Sequence, residues 1–254
     1  MRYFLTLAYR GTRYCGWQVQ PNGPSVQSTL EQALRIVLGQ PSEVTGCGRT
    51  DAGVHARCYV AHLDADQELP STLLHRLNGL LPDDIAVYGI QPVSPDAHAR
   101  YDAFERSYEY HITRRKDPFA TETAWFFPQF DRLNLEKMQL VTDFFSNYSA
   151  FFPFCKTNSG VDSYDCQLYR AAWVQEQEHL VFHVSANRFL RGMVRLMVGA
   201  CLRVGLGKLS IADVQTALDN QQALRQSFSV PPQGLFLVDI KYPYFTTLLP
   251  SIDQ

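Results

Sequence analysis

The sequence predicts an α+β protein made of two βαββαβ halves, and three observations carry the prediction. Segments of strand-type alternation and segments of helical periodicity recur in one order twice along the chain. The length, 254 residues, suits one large domain or two intimate ones. The composition, 46% hydrophobic and 19% charged, can fill a core, which excludes disorder, collagen and coiled coil.

The elements follow in order. Tyr3 to Ala8 is rich in strand formers, and Gly11, Gly16, Pro21, Gly23 and Pro24 then punctuate a loop that holds Tyr14 and Trp17. Ser25 caps a helix whose apolar positions Val26, Leu30, Ala33, Leu34, Val37 and Leu38 fall at helical spacing. Val44 opens a second strand, a glycine-rich turn runs from Gly46 to Gly53, and Tyr59 to Leu63 is a third strand. A helix from about Ser71 to Leu80 and a strand from Ile85 to Ile90 close the first half.

The second half begins with a strand over Ser107 to Thr113 and an amphipathic helix over Leu135 to Phe145. A hairpin follows from Tyr169 to Val174 and His179 to Ser185. Helices over Phe189 to Gly205 and Ile211 to Leu218 and a strand over Gly234 to Tyr242 complete it. The boundary is expected between residues 102 and 103, giving subdomains 1–102 and 103–254. Two ferredoxin-like units of this kind place a mainly antiparallel sheet with its helices on one face, so the other face is left for a ligand.

The chain carries 23 basic and 25 acidic residues, a net charge of -2, which taken globally argues against a strongly basic nucleic-acid binder. Its distribution says otherwise. Residues 1–62 hold six arginines against Glu31, Glu43 and Asp51, while residues 63–99 hold Arg76 against six acids. Residues 187–208 carry Arg188, Arg191, Arg195, Arg203 and Lys208 and no acid. Arginine supplies 18 of the 23 basic residues, and its planar fork suits phosphate, carboxylate and aromatic faces. The six cysteines are scattered without a C-x-x-C pair, so reduced thiols and a cytoplasmic location are expected, and no zinc ribbon or redox pair. No leader is expected, since Met1-Arg2-Tyr3 runs straight into a strand pattern, and the most apolar stretch, Phe189 to Gly207, is interrupted by arginines, so no membrane span is expected.

The strongest local signal is Gly46-Cys47-Gly48-Arg49-Thr50-Asp51-Ala52-Gly53-Val54-His55-Ala56. Its three glycines let the backbone turn sharply and approach a ligand while presenting Arg49 and Asp51. A bare Asp-x-Gly is most often only a β-turn. The dinucleotide-binding pattern fails, because Asp51 stands where its third glycine belongs. Arg191 and Arg195, four apart on the expected helix, share a face flanked by Arg188 and Arg203, with Met193, Val194, Met197 and Cys201 roughly opposite. An arginine beside a carboxylate in a cleft holds that carboxylate ionised. Tyr108 and Tyr110 point one way from their strand and, with Tyr101, stand among Arg100, Arg106, Arg114, Arg115 and Lys116, which suits base stacking as well as an ordinary core. Asp64, Asp66 and Glu68 lack the glycine of a calcium loop, and His179 and His183 lack the glutamate of a zinc protease helix.

The run Gly48 to Ala56 resembles the motif of the TruA-type tRNA pseudouridine synthase family. So do Ala8 to Gln18, His98-Ala99-Arg100-Tyr101, Ser107-Tyr108-Glu109-Tyr110, Met193-Val194-Arg195 with Val198-Gly199, and Gly234 to Leu237, in the family's order. The resemblance implies isomerisation of uridine to pseudouridine at positions 38, 39 and 40 of the tRNA anticodon stem-loop, without cofactor or metal, by a homodimer. It implies Asp51 as the catalytic carboxylate, Tyr108 stacked under the target base and Arg195 paired with Asp51. Arg49, Thr50, His55, Arg188 and Arg191 are then the expected RNA contacts, in an RNA-binding cleft between the two halves. Two readings compete: a non-catalytic RNA-binding module, and a metal-dependent nuclease using Asp51, Asp64 and Asp66.

Overall fold

The computed structural model describes residues 1–156, 160 and 162–244. Two compact units divide the chain: Met1–Phe104 with the described residues of Phe236–Gln254, and Glu105–Leu235. The division falls two residues beyond the expected one. Residues 245–254, assigned from sequence to the second half, lie outside the described residues.

In the first unit the order is β1 (Arg2–Tyr9), α1 (Val26–Leu38), β2 (Val44–Gly46), β3 (His55–Asp64), α2 (Leu73–Leu80) and β4 (Ile85–Val93), the expected βαββαβ. β1 lies between β4 and β3, antiparallel to both, and β2 pairs antiparallel with the last third of β3. The register sets Arg2 opposite Asp64, where the guanidinium makes two bonds of 2.8 and 2.7 Å to the carboxylate. β1 is buried on both faces, with Phe4, Leu5 and Leu7 fully enclosed. α1 packs through Val26, Leu30, Ala33, Leu34 and Val37, the positions the spacing selects. Each such leucine contributes about 2 kcal/mol when fully buried. Ser25 and Ser28 cap its start reciprocally and Gly39, at φ 74°, ends it.

The second unit contains β5 (Glu105–Thr113), the two-residue β6 (Trp125–Phe126), α3 (Leu135–Phe145), β7 (Leu168–Glu176), β8 (His179–Ala186), α4 (Met193–Gly205) and α5 (Ile211–Asp219). β8 lies between β5 and β7 in an open antiparallel arrangement, and β6 runs parallel to β5. Tyr110, Ile112, Leu180, Phe182 and Val184 supply the buried face of these strands. α3 joins it through Trp173, whose indole N–H donates to Thr142 Oγ1 at 3.1 Å.

Two expectations are corrected. The helix expected from Phe189 starts only at Met193, because Gly192 adopts φ 70° and interrupts the helical path. Arg191 therefore precedes α4 and does not share a helix face with Arg195. The closing strand β9 (Leu235–Lys241) belongs, from Phe236 on, to the first unit. It pairs in parallel with β3 at His55 and Ala56, and the Lys241 carbonyl accepts from the Phe104 amide at 3.0 Å.

Candidate active site

The loop between β2 and β3 is held from three directions. The Cys47 amide donates to the Val60 carbonyl at 2.8 Å, and the Tyr59 hydroxyl donates to the Gly48 carbonyl. The Val54 amide closes a turn on the Asp51 carbonyl at 3.2 Å, and Gly53, at φ 76°, donates to the Tyr14 carbonyl at 3.3 Å. Thr50 Oγ1 and the Tyr9 hydroxyl are 2.9 Å apart. Beneath the loop the Trp17 and Tyr59 rings stack at 4.1 Å, with Tyr9 tilted against Tyr59 at 5.5 Å. These contacts present Arg49 to solvent and leave Asp51 half-buried.

The loop that follows β1 is pressed against this one. A Cβ on Gly11 would stand 2.0 Å from the Val54 carbonyl oxygen, and one on Gly16 would stand 2.2 Å from that of Thr50. Both positions thus require glycine for close approach, and Gly16 also has φ 92°. Asp84, just before β4, fixes the same segment: its buried carboxylate accepts from the Tyr14 hydroxyl at 2.7 Å and from Arg13 Nε at 2.6 Å. Burial and then this carboxylate push the Tyr14 phenol well above its usual range. Sequence reasoning missed Asp84, since an Asp-Asp pair after a proline carries no signal that separates it from a solvated turn.

His55 opens β3 with no surface exposed. Its Nδ1 accepts from the Gly11 amide at 3.0 Å and its ring stacks on Phe236 at 4.6 Å. The expected direct RNA contact is therefore corrected to a positioning role: the imidazole ties the two loops and β9 together.

In the second unit, Tyr108 on β5 is half-buried and meets the Phe189 ring edge-on at 5.1 Å. Arg188 and Arg191 flank Phe189 and are exposed, while Arg106 Nη1 donates to the Asn187 carbonyl at 2.8 Å. Arg195 is half-buried in the first turns of α4, and its Nε donates to the Val230 carbonyl at 2.7 Å. The Tyr110 hydroxyl donates to the neighbouring Pro231 carbonyl at 2.8 Å, so residues 230–231 serve both side chains. The first unit thus gathers Arg49, Thr50, Asp51 and His55 on one loop, and the second brings Tyr108 against Phe189, with Arg188 and Arg191 beside Phe189 in the chain.

Burial pushes Cys58 and Cys201 up to about 12 and Cys166 up to about 11, so these thiols stay protonated and offer no nucleophile. Asp64 is bound to Arg2, and among the described residues no group of three or more His, Cys, Asp or Glu side chains is arranged to hold a metal ion. No helix among the described residues is long and apolar enough to cross a membrane.

The family model described as tRNA pseudouridine synthase matches residues 6–102 and 146–243. The chain belongs to the tRNA pseudouridine synthase family. Its relatives include proteins named tRNA pseudouridine synthase A from Parabacteroides distasonis, 43% identical over 95% of this chain and 96% of that one, and from Azobacteroides pseudotrichonymphae, 44% identical over 95% and 97%. The relative from Porphyromonas gingivalis is 43% identical over 95% and 97%. Both matched stretches of the synthase family model include candidate residues, Asp51 in the first and Arg195 in the second.

Proposed function

We propose that this chain isomerises uridine to pseudouridine at positions 38, 39 and 40 of the tRNA anticodon stem-loop, with Asp51 as its catalytic carboxylate. The observation that carries the assignment of Asp51 is the loop itself. It is pinned by Val60, Tyr59, Tyr14 and Tyr9, yet it leaves Asp51 half-buried at a turn that glycines keep open to a close ligand. Such pre-ordering is what a reacting carboxylate needs.

The reaction conserves atoms. The bond from C1′ to N1 breaks and one from C1′ to C5 forms, while a proton leaves C5 and another arrives at N1. Asp51 acts as nucleophile on either the sugar or the base, and the bond it forms breaks again before pseudouridine leaves, so the carboxylate is regenerated. A uridine in a stem must first leave its stack, at a cost of a few kcal/mol. Tyr108, its ring steadied by Phe189, stacks under the extruded base, and Arg49 supports the space left behind. Arg195, oriented through its Nε bond to Val230, pairs with Asp51, and Thr50, Arg188 and Arg191 meet the RNA backbone. In this reading the two units are a duplicated ferredoxin-like pair with the RNA in a cleft between them. Its support is the order strand, helix, strand, strand, helix, which both units share once the two-residue β6 of the second is set aside. The active form is a cytoplasmic homodimer that needs neither cofactor nor metal.

Asp51→Asn tests the assignment. With tRNA labelled at uridine C5, the wild type releases label and the variant releases none, while its thermal transition and tRNA affinity stay close to wild type. Turnover by the variant would refute Asp51 as the catalytic group. Mapping pseudouridine in the treated tRNA checks the three positions. A solution mass near twice 28.9 kDa checks the dimer.

A further inference from the structure

The end of the first unit far from Asp51 carries an aromatic surface that the isomerisation does not use. β3 starts beneath the Asp51 loop, and at about 3.3 Å per residue His62 lies about 23 Å along it from His55. There His62 Nδ1 accepts from the Ala99 amide at 3.2 Å, and the His98 ring meets its ring edge-on at 4.7 Å. His98 in turn organises the two residues after Ala99. Its Nδ1 accepts from the amides of Arg100 at 3.1 Å and Tyr101 at 3.3 Å, and its ring lies 4.3 Å from that of Tyr101. The Arg100 guanidinium stands over the Tyr101 ring at 5.5 Å. Tyr101 is nevertheless 73% exposed, and nearby Phe104 is 47% exposed.

The carboxylate of this segment faces the other way. Asp102 Oδ2 accepts from the His98 amide at 2.7 Å and from the Tyr244 hydroxyl at 3.0 Å. The Ala99 carbonyl accepts from the buried Tyr242 hydroxyl, which anchors the turn from below. The turn therefore shows solvent a ring and a cation while its acid is taken up by the His98 amide and the Tyr244 hydroxyl. A ring beside an arginine is the chemistry by which proteins hold unpaired nucleotides, stacking the base and meeting its phosphate.

We propose that Arg100 and Tyr101 form a second RNA contact, in which an unstacked base of the tRNA lies on the Tyr101 ring and its phosphate meets the Arg100 guanidinium. The inference rests on the reading of tRNA as substrate and adds a site near the end of β3 away from the Asp51 loop, about 23 Å along the strand from His55. The ring is already seated on His98, so little side-chain freedom is lost when a base arrives. Burial lowers the His98 pKa, which keeps Nδ1 available as the acceptor for both amides. Energy gained so far from the chemistry is felt equally before and during the reaction, so it acts on KM and not on kcat.

The test compares Tyr101→Ala, Tyr101→Phe, Tyr101→Trp and Arg100→Gln by pseudouridine formation on full-length tRNA and by filter binding of the same tRNA across a salt series. Tyr101→Ala raises KM and the dissociation constant about tenfold with kcat within twofold of wild type, and Phe or Trp restores both. Arg100→Gln lowers the slope of log affinity against log salt by about one. Wild-type affinity in Tyr101→Ala, or a loss that neither aromatic restores, overturns the proposal. So does a change in solution mass at unchanged RNA affinity, which would assign the surface to a second copy of the chain. Should the wild type form no pseudouridine in any tRNA, the proposed function falls, while the binding series still decides this site.

Discussion

Asp51 stands on a loop fixed by hydrogen bonds and by glycines that admit close neighbours, whereas Arg195 stands on a helix buried on almost every side. Of the thirteen residues of α4, only Arg195 and Arg203 are not buried. Its position comes from apolar packing, which is strong and indifferent to direction. The Asp51 loop instead depends on Tyr9, Tyr14, Tyr59, Val60 and Asp84, each bond being worth only about 1 kcal/mol. Damage to α4 should therefore appear first as lost stability, and damage to the loop first as lost activity. Matched substitutions in the two places can separate these outcomes.

The largest effect is expected from Gly199→Ala in α4. The new Cβ would stand 1.8 Å from the Phe228 carbonyl oxygen, backbone against backbone, with no flexible group to yield. A cost of about 3 kcal/mol follows, seen as a fall in Tm of about 10 °C. Gly16→Ala meets the Thr50 carbonyl oxygen at 2.2 Å and a φ of 92°, but between two loops. Its Tm should fall by less than half as much, while pseudouridine formation drops at least a hundredfold because the Asp51 turn is displaced. Equal Tm losses in the two variants, with activity kept in Gly16→Ala, would break the comparison.

Asp84→Ala comes next. It removes the acceptor of the Tyr14 hydroxyl and of Arg13, leaving the buried phenol without that bond, at about 2 kcal/mol. Asp84→Asn keeps an oxygen for Tyr14 and should lose less. Thermal melts rank the variants, and activity should follow the same order, since Tyr14 also receives the Gly53 amide. Full activity in Asp84→Ala would show that the Asp51 loop holds its shape without this support.

What could be read from sequence follows the range of the forces involved. α1 is legible because its cap Ser25 and its five buried positions lie within fourteen consecutive residues. The start of α4 is not, since apolar periodicity runs through Gly192 and only its φ of 70° reveals the break. β9 joins the first unit through pairing between His55 and Phe236, a contact that no local pattern encodes. The Asp51 motif is legible as a motif, yet its supports are scattered: Asp84 binds residues 70 and 71 positions away. His55 lies within the motif and was expected to touch RNA, but as the first residue of a buried strand it faces inward.

The smallest effect sharpens the contrast through pH. His62, near the far end of β3, has its pKa lowered to about 4, by burial first and then by Arg2 and His98, against the opposing pull of Asp64 and Asp102. In the unfolded chain the same imidazole titrates near 6.5. Between these values the unfolded state binds the extra proton, so stability is complete above about pH 6.5 and declines as pH falls toward 4. The total loss, complete only below about pH 4, is on the order of 3 kcal/mol. Asn at position 62 can still accept from the Ala99 amide but cannot titrate. His62→Asn should therefore flatten the fall in Tm between pH 7 and pH 5 while leaving the Tm at pH 7.5 within a few degrees of wild type. An undiminished acid slope in that variant would place the sensitivity elsewhere, with His183 on β8, whose pKa burial also lowers, the next group to replace. In that event the polar contacts of the second unit, not those of the first, would set the acid limit of the fold.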